Sequence, residues 1–268
     1  MLELFSYTFM QYALVVGVII TVICSTLGLF LVLRRMSLIG DGLSHIAFGG
    51  IALGLFLNWM PYIMALLFSI FASLGIIKLR ENARIYGDTA IGIVFSSALA
   101  FGVVLISISS GFKADWHTLL FGNIISVNLE DVLITLLIGS LVLVLVMRYY
   151  HQFLFLSFDE KSAQASGINT RRLNVLLIVL TAITVVISIR IVGILLVSSF
   201  LIIPPATALQ VAPSFRRALI YSILFGLISL FVGLLASYYF DIASGGAIVL
   251  VSSILFFGAF LYRFFYLS

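Results

Sequence analysis

Charge is scarce in this sequence. Aspartate, glutamate, lysine and arginine make up 9% of its 268 residues and hydrophobic residues 63%, whereas a soluble domain carries about 25% charged residues. A globule in water could not cover its surface with so few polar groups, so the solvent that fits is a lipid bilayer. Cysteine is nearly missing. The single Cys24 lies inside the first apolar run, which excludes a disulfide framework and any cysteine-based metal site. Its expected role is helix packing. A basic region is missing from the start: "MLELFSYTFMQYALVV" carries Glu3 and no lysine or arginine. It is therefore expected to be kept as a first helix, not removed as a signal peptide. Also absent are a Gly-x-x-x-x-Gly-Lys-Ser/Thr phosphate loop, a His-Glu-x-x-His pair and a Gly-x-Ser-x-Gly turn. The chain is expected not to be an enzyme. Any uphill transport must draw energy from a partner subunit or an ion gradient.

What the chain has is long apolar runs. A membrane helix needs about 20 apolar residues, and backbone groups in lipid must be paired within the chain, so each run is expected to be a helix. A barrel would alternate over ~10-residue strands, and "VLITLLIGSLVLVLV" does not. The expected fold is all-α, with segments near 10–33, 43–60, 62–77, 90–110, 129–149, 173–189, 191–210, 218–240 and 245–263. That makes nine crossings, or eight if one segment is re-entrant. The sixth and seventh are divided only by Arg190, and Pro204-Pro205 is expected to bend or break the seventh. With no internal repeat and only short loops, residues 1–268 are read as one transmembrane domain.

Lysine and arginine orient it. With the N-terminus outside and the C-terminus inside, twelve basic residues face inward: Arg34, Arg35, Lys78, Arg80, Arg84, Arg148, Lys161, Arg171, Arg172, Arg216, Arg217 and Arg263. Only Lys113 and Arg190 face outward. Trp59, Trp116 and Tyr238-Tyr239 fall near outer ends, as an aromatic belt would. This bias accounts for the net charge of +4 without nucleic-acid binding.

The stretch "GDGLSHIAFGG" places Asp41 and His45 at i and i+4, on one face of a helix. A carboxylate oxygen and an imidazole nitrogen side by side suit zinc or manganese. Two ligands do not close a site, but a two-fold dimer would supply four. Structural readings compete: Asp41 as a helix N-cap, His45 as a packed interfacial histidine. Ionisable groups within membrane segments tend to mark substrate pathways, whereas Asp88, Glu130 and Asp131 lie at segment ends where water can reach them. Gly50-x-x-x-Gly54 permits close helix approach. In "GILLVSSFLIIPPATALQ", Ser198, Ser199, Pro204 and Pro205 form either a pore or gate element with freed carbonyls or a plain kink. "KADWH", with Asp115 and His117, is read as an ordinary outer loop ahead of a metal-capture point, and His151 as a helix end. The inner loop's "FDEKSAQASGI" reads as a short amphipathic helix with Asp159 and Glu160 in its first turn. Its small residues Ala163, Ala165 and Gly167 offer a ridge for a cytoplasmic partner.

Taken together, "LRRMSLIGDGLSHIAFGGIALG" at 33–54, "FDEKSAQASGI" at 158–168 and "VGILLVSSFLIIPPATA" at 192–207 resemble, in order, the landmarks of the zinc/manganese permeases of bacterial ABC importers. The resemblance covers essentially the whole chain. It implies a vitamin B12-importer-like permease architecture and a homodimer in the bacterial cytoplasmic membrane. It also implies two cytoplasmic ATP-binding subunits and an extracytoplasmic metal-binding protein. It implies that Asp41 and His45 match the pore metal ligands and that 158–168, with Asp159, Glu160, Ala163 and Gly167, meets the ATPase. No cofactor of its own is expected: ATP belongs to the partner, and the metal is cargo. Four-coordination favours zinc, while mixed oxygen and nitrogen ligands admit manganese. Metal binding needs a neutral His45, so transport is expected to weaken in acid. The rival functions are a gradient-driven secondary transporter, an intramembrane enzyme, and an ABC permease for a siderophore or vitamin.

Overall fold

A computed structural model describes residues 8–82, 87–108 and 127–266. Arg84, Lys113 and the "KADWH" loop with Asp115, Trp116 and His117 lie outside the described residues. The rest is helical: α1 (Thr8–Leu33), α2 (Ile39–Phe56), α3 (Pro61–Asn82), α4 (Gly87–Ile108), α5 (Leu129–Arg148), α6 (Tyr150–Phe158), α7 (Glu160–Ala165), α8 (Thr170–Val211), α9 (Phe215–Phe240) and α10 (Ser244–Tyr266). No strand occurs among the described residues. Eight of these helices are long and apolar enough to cross a membrane.

One of the eight is double. α8 runs for 42 residues, about 63 Å at ~1.5 Å per residue and about twice a hydrocarbon core of ~30 Å. Its helical geometry is interrupted at Gly193, with φ 79° and ψ 166°, a conformation essentially reserved for glycine. The division expected at Arg190 therefore falls three residues later. Arginine can keep helical angles, whereas only a residue without Cβ can make this turn.

Contacts along α8 show that it goes out and comes back. Asn174, near its start, bonds Arg34 at the end of α1. Arg190 reaches Asp131 at the start of α5, 3.0 Å away. Gln210, near the end of α8, accepts from Arg263 of α10 at 2.9 Å. Arg34 and Arg263 share a side, because α9 runs antiparallel to α1 and α10 turns back along α9. Leu230 of α9 lies against Gly17, Ser222 donates to the Ser25 carbonyl and Phe215 packs on Phe30 at 5.3 Å. Ile248 of α10 then sits against Gly233. Both halves of α8 thus have traverses of their own, giving nine passes through the bundle among the described residues.

Of the two outcomes expected at Pro204 and Pro205, a bend or a break, the break does not occur. Helix continues through both, and both are buried. A proline at 205 has no N–H to give the Leu201 carbonyl. That oxygen faces α1 instead, where a Cβ on Gly28 would lie 2.2 Å from it. The distortion is absorbed by close approach of two helices.

The centre of the bundle is α2, whose glycines each receive a neighbour. Gly40 faces Leu201, Gly42 faces Ile91, Gly49 faces the Ala98 carbonyl, Gly50 faces Ala65 and Gly54 faces Pro61. Helices in lipid associate by such close packing, since apolar burial alone gains little there. The α2 segment is thereby enclosed by α3, α4 and α8. Lipid-facing side chains such as Phe71, Ile93, Leu137 and Ile254 are exposed on the outer helices.

Gly193→Ala is expected to cost about 1–3 kcal/mol through the forced backbone conformation. Gly28→Ala is expected to cost a similar ~1–3 kcal/mol by overpacking against a backbone oxygen that cannot move aside. Thermal unfolding in detergent checks both, with Gly75→Ala, which meets open space, as the control that should change little.

Candidate functional site

Helix α2 begins at Ile39, so Asp41 and His45 both lie on it one turn apart. The residue preceding it is Leu38, with no side-chain cap. Asp41 is therefore not the N-cap. It stands inside the first turn, where a carboxylate suits the positive end of the helix dipole. One turn on, His45 Nε2 lies 3.7 Å from Asp41 Oδ1, and the side chains are 28% and 44% exposed for His45 and Asp41. That separation is too long for an ordinary hydrogen bond. It is close to the span of about 3.4 Å between two tetrahedral ligands each ~2.1 Å from a metal. Ser44, between them in sequence, gives its hydroxyl proton to the Gly40 carbonyl at 2.9 Å.

Helix α4 sets the backdrop of this pair. Gly42 lies between Asp41 and His45 in sequence, and a Cβ there would come within 2.6 Å of Ile91 Cγ2. The missing side chain lets α4 close against α2. Phe95, one turn further along α4, then rests its ring 5.5 Å from the His45 imidazole at 33°. Phe95 limits the ring orientations open to His45, a contribution that sequence periodicity did not reveal. Among the described residues no three His, Cys, Asp or Glu side chains gather to hold a metal. At this position the described residues bring together one carboxylate and one imidazole.

The segment 158–168 is not one helix. Phe158 ends α6, and Asp159 adopts extended angles and caps α7, accepting from the Lys161 and Ser162 amides at 3.0 Å. Hydrogen bonds from the Ser162 hydroxyl and amide, followed by Lys161, hold its carboxyl below the usual aspartate range. Ala163 is buried against the chain's own core, so it does not belong to an exposed ridge. Gly167 is exposed with φ 82°, and Ala165 and Ser166 are exposed beside it. Glu160 turns inward, toward Arg34 and Asn174.

Ser198 and Ser199 bond their own helix, Ser198 to the Ile194 and Leu195 carbonyls at 3.2 Å and Ser199 to Leu195 at 2.7 Å. With Pro204 and Pro205 they lie in the returning half of α8. This half packs against α1 through Leu201 and Pro205 at Gly28, and against α2 through Leu201 at Gly40.

The sequence also offered a signal that went unread. Asp131 is not at a watery segment end. Its side chain is 6% exposed, paired with Arg190 and joined to Asn128 in a reciprocal cap. Arg190 lies 5.5 Å over the Tyr62 ring. A lone arginine within an apolar run calls for such a partner. The groove beside this pair, between α3 and α5 and floored by α8, has a volume of about 250 Å³ and is walled mainly by isoleucines.

The chain as a whole has counterparts among known proteins. The manganese transport system membrane protein MntC of Listeria monocytogenes is 39% identical over 97% of this chain and 92% of its own length. The zinc uptake membrane protein ZnuB of Haemophilus influenzae is 34% identical over 91% and 94%. Among solved structures, PsaBC of Streptococcus pneumoniae in complex with Fab superposes with a TM-score of 0.85 at 36% identity, over 96% of this chain and 93% of that one. An inward-facing metal-chelate type ABC transporter shares the fold, with a TM-score of 0.74 at 19% identity over 95% and 86%. The model of the ABC 3 transport family matches residues 6–263, and the chain belongs to that family.

Proposed function

We infer that this chain is the membrane-spanning subunit of an ATP-driven importer for a divalent metal ion. The observation that carries the reading is the Asp41–His45 pair: an oxygen and a nitrogen ligand at a spacing a metal can bridge, on a largely buried helix of a multi-pass bundle. Manganese and zinc both fit. Oxygen with nitrogen suits either ion, and the relatives include a manganese and a zinc system. The tetrahedral preference for zinc rested on four ligands, and one chain supplies two.

The remaining parts follow from what this chain lacks. It has no phosphate-binding loop, so ATP is hydrolysed by cytoplasmic partner subunits. These dock on the exposed ridge formed by Asp159, Lys161, Ala165, Ser166 and Gly167, which puts the Arg34 side in the cytoplasm. A second copy of the chain brings the other Asp41–His45 pair, and a metal-binding protein delivers the ion at the opposite face. Closure of the ATPase subunits pushes α7. The returning half of α8, with Ser198, Ser199, Pro204 and Pro205, shifts against α1 and α2 and exposes the pair to alternate sides. Few ligands favour release as well as capture, as a conducting site requires.

Asp41→Asn and His45→Ala are each expected to reduce uptake of radioactive zinc or manganese to the level of vesicles without the importer, with assembly unchanged. Uptake at the parent level in both variants overturns the metal assignment. A gradient-driven carrier would instead let the chain alone concentrate metal in liposomes carrying an ion gradient. A siderophore or vitamin permease would show uptake of the chelate and none of the free ion. Gly167→Val strains a left-handed backbone position on the ridge and is expected to weaken co-purification with the ATPase subunits several-fold. Unchanged co-purification would place the docking surface elsewhere.

A further inference from the structure

Glu160 and Arg34 form a link that the ATPase-facing role of 158–168 does not account for. Glu160 Oε2 is 3.3 Å from Arg34 Nη2, and Glu160 Oε1 accepts from Asn174 Nδ2 at 2.9 Å. Arg34 Nη1 donates to Asn174 Oδ1. The three side chains close a triangle joining α7, α1 and α8. The Arg34 side chain is 4% exposed and that of Glu160 40%, so the link reaches from the loop surface into the bundle. An interior ion pair is a poor source of stability compared with apolar packing. Its rigidity is a better reason for its presence, since a planar guanidinium holds two acceptors in a fixed fork.

The chain after Arg34 has little slack. Arg35 takes φ 56°. Its amide donates to the Val32 carbonyl at 3.0 Å, and the Met36 amide donates to Leu31 at 2.9 Å. Met36 is buried, and the Ile39 amide bonds its carbonyl at 3.1 Å to begin α2. Asp41 lies in the first turn of that helix. A displacement of Glu160 is therefore carried through Arg34 and a hydrogen-bonded turn to the metal pair, and through Asn174 to the base of α8.

We propose that Arg34 is a positioning residue that couples movement of α7 to the Asp41–His45 pair, with Glu160 and Asn174 as its anchors. The proposal rests on the reading of 158–168 as the ATPase-facing segment, and it assigns Glu160 to transmission inside the permease, not to contact with the ATPase.

The test uses the complete importer, with ATPase subunits and metal-binding protein, in liposomes. Metal moved and ATP hydrolysed are measured in the same vesicles with manganese or zinc as the probe. Arg34→Gln and Glu160→Gln are expected to keep hydrolysis within about twofold while metal moved per ATP falls roughly three- to thirty-fold, the scale of changes along coupling networks. The exchange Arg34→Glu with Glu160→Arg is expected to recover much of that ratio, because the Asn174 amide can turn over to serve the reversed pair. An unchanged ratio in both single variants overturns the proposal. So does a parallel loss of transport and hydrolysis without recovery in the exchange, which is the mark of a structural staple. If a single variant fails to assemble, Arg34→Lys, which keeps the charge without the fork, is read by the same ratio. Asp41→Asn run alongside tests the metal pair separately: parent-level uptake in that variant removes the metal site, whatever the ratio does at Arg34.

Discussion

Lipid tails are as apolar as leucine, so two helices gain little in a bilayer merely by hiding hydrophobic side chains from it. What remains is contact between surfaces that fit at short range. In this protein that contact is concentrated on α2, where glycines admit the Ala98 carbonyl, the Ala65 backbone and the Pro61 backbone to distances that a methyl group would forbid. The same principle appears at Gly28, where α1 accepts the Leu201 carbonyl that Pro205 leaves without a helical donor. The Asp41–His45 pair depends on this packing. Asp41 and His45 are held on a helix that is enclosed on three sides, and Gly42 lets α4 bring Phe95 against the imidazole.

Charges mark the two faces of the bundle and tie it together there. On one face Arg34 gathers Glu160 and Asn174. On the other Arg190 gathers Asp131 and stacks over Tyr62. Each arginine joins helices distant in sequence, and in each pair one charge is buried, Arg34 on one face and Asp131 on the other, where an unpaired charge would be costly. Between these two polar levels the long α8 turns at a single glycine. The bundle is thus pinned at its faces and packed tightly at its centre.

The membrane class and the helical segments were legible because length and hydropathy leave few alternatives in lipid. The Asp41–His45 pair was legible as well, since the spacing i, i+4 puts two side chains on one face whatever surrounds them. The position of the turn within α8 was not. Arg190 drew attention as the only charge in the run, yet backbone geometry selected Gly193. The prolines are a related case: a missing hydrogen bond breaks a helix only when nothing else accommodates the freed carbonyl. Ala163 belongs to the small-residue ridge by its place in the loop, yet it is buried, and the partly exposed Glu160 reaches toward Arg34.

By itself the sequence determined the solvent, the helices and the residue types available to bind a metal. These follow from local composition and periodicity, which need no knowledge of neighbours. Only the tertiary structure decided which charges meet, which glycines are contact points and which face of 158–168 is free. Those outcomes depend on residues more than a hundred positions apart arriving at one level of the bundle. No window along the chain contains that information, because it resides in how the helices pack.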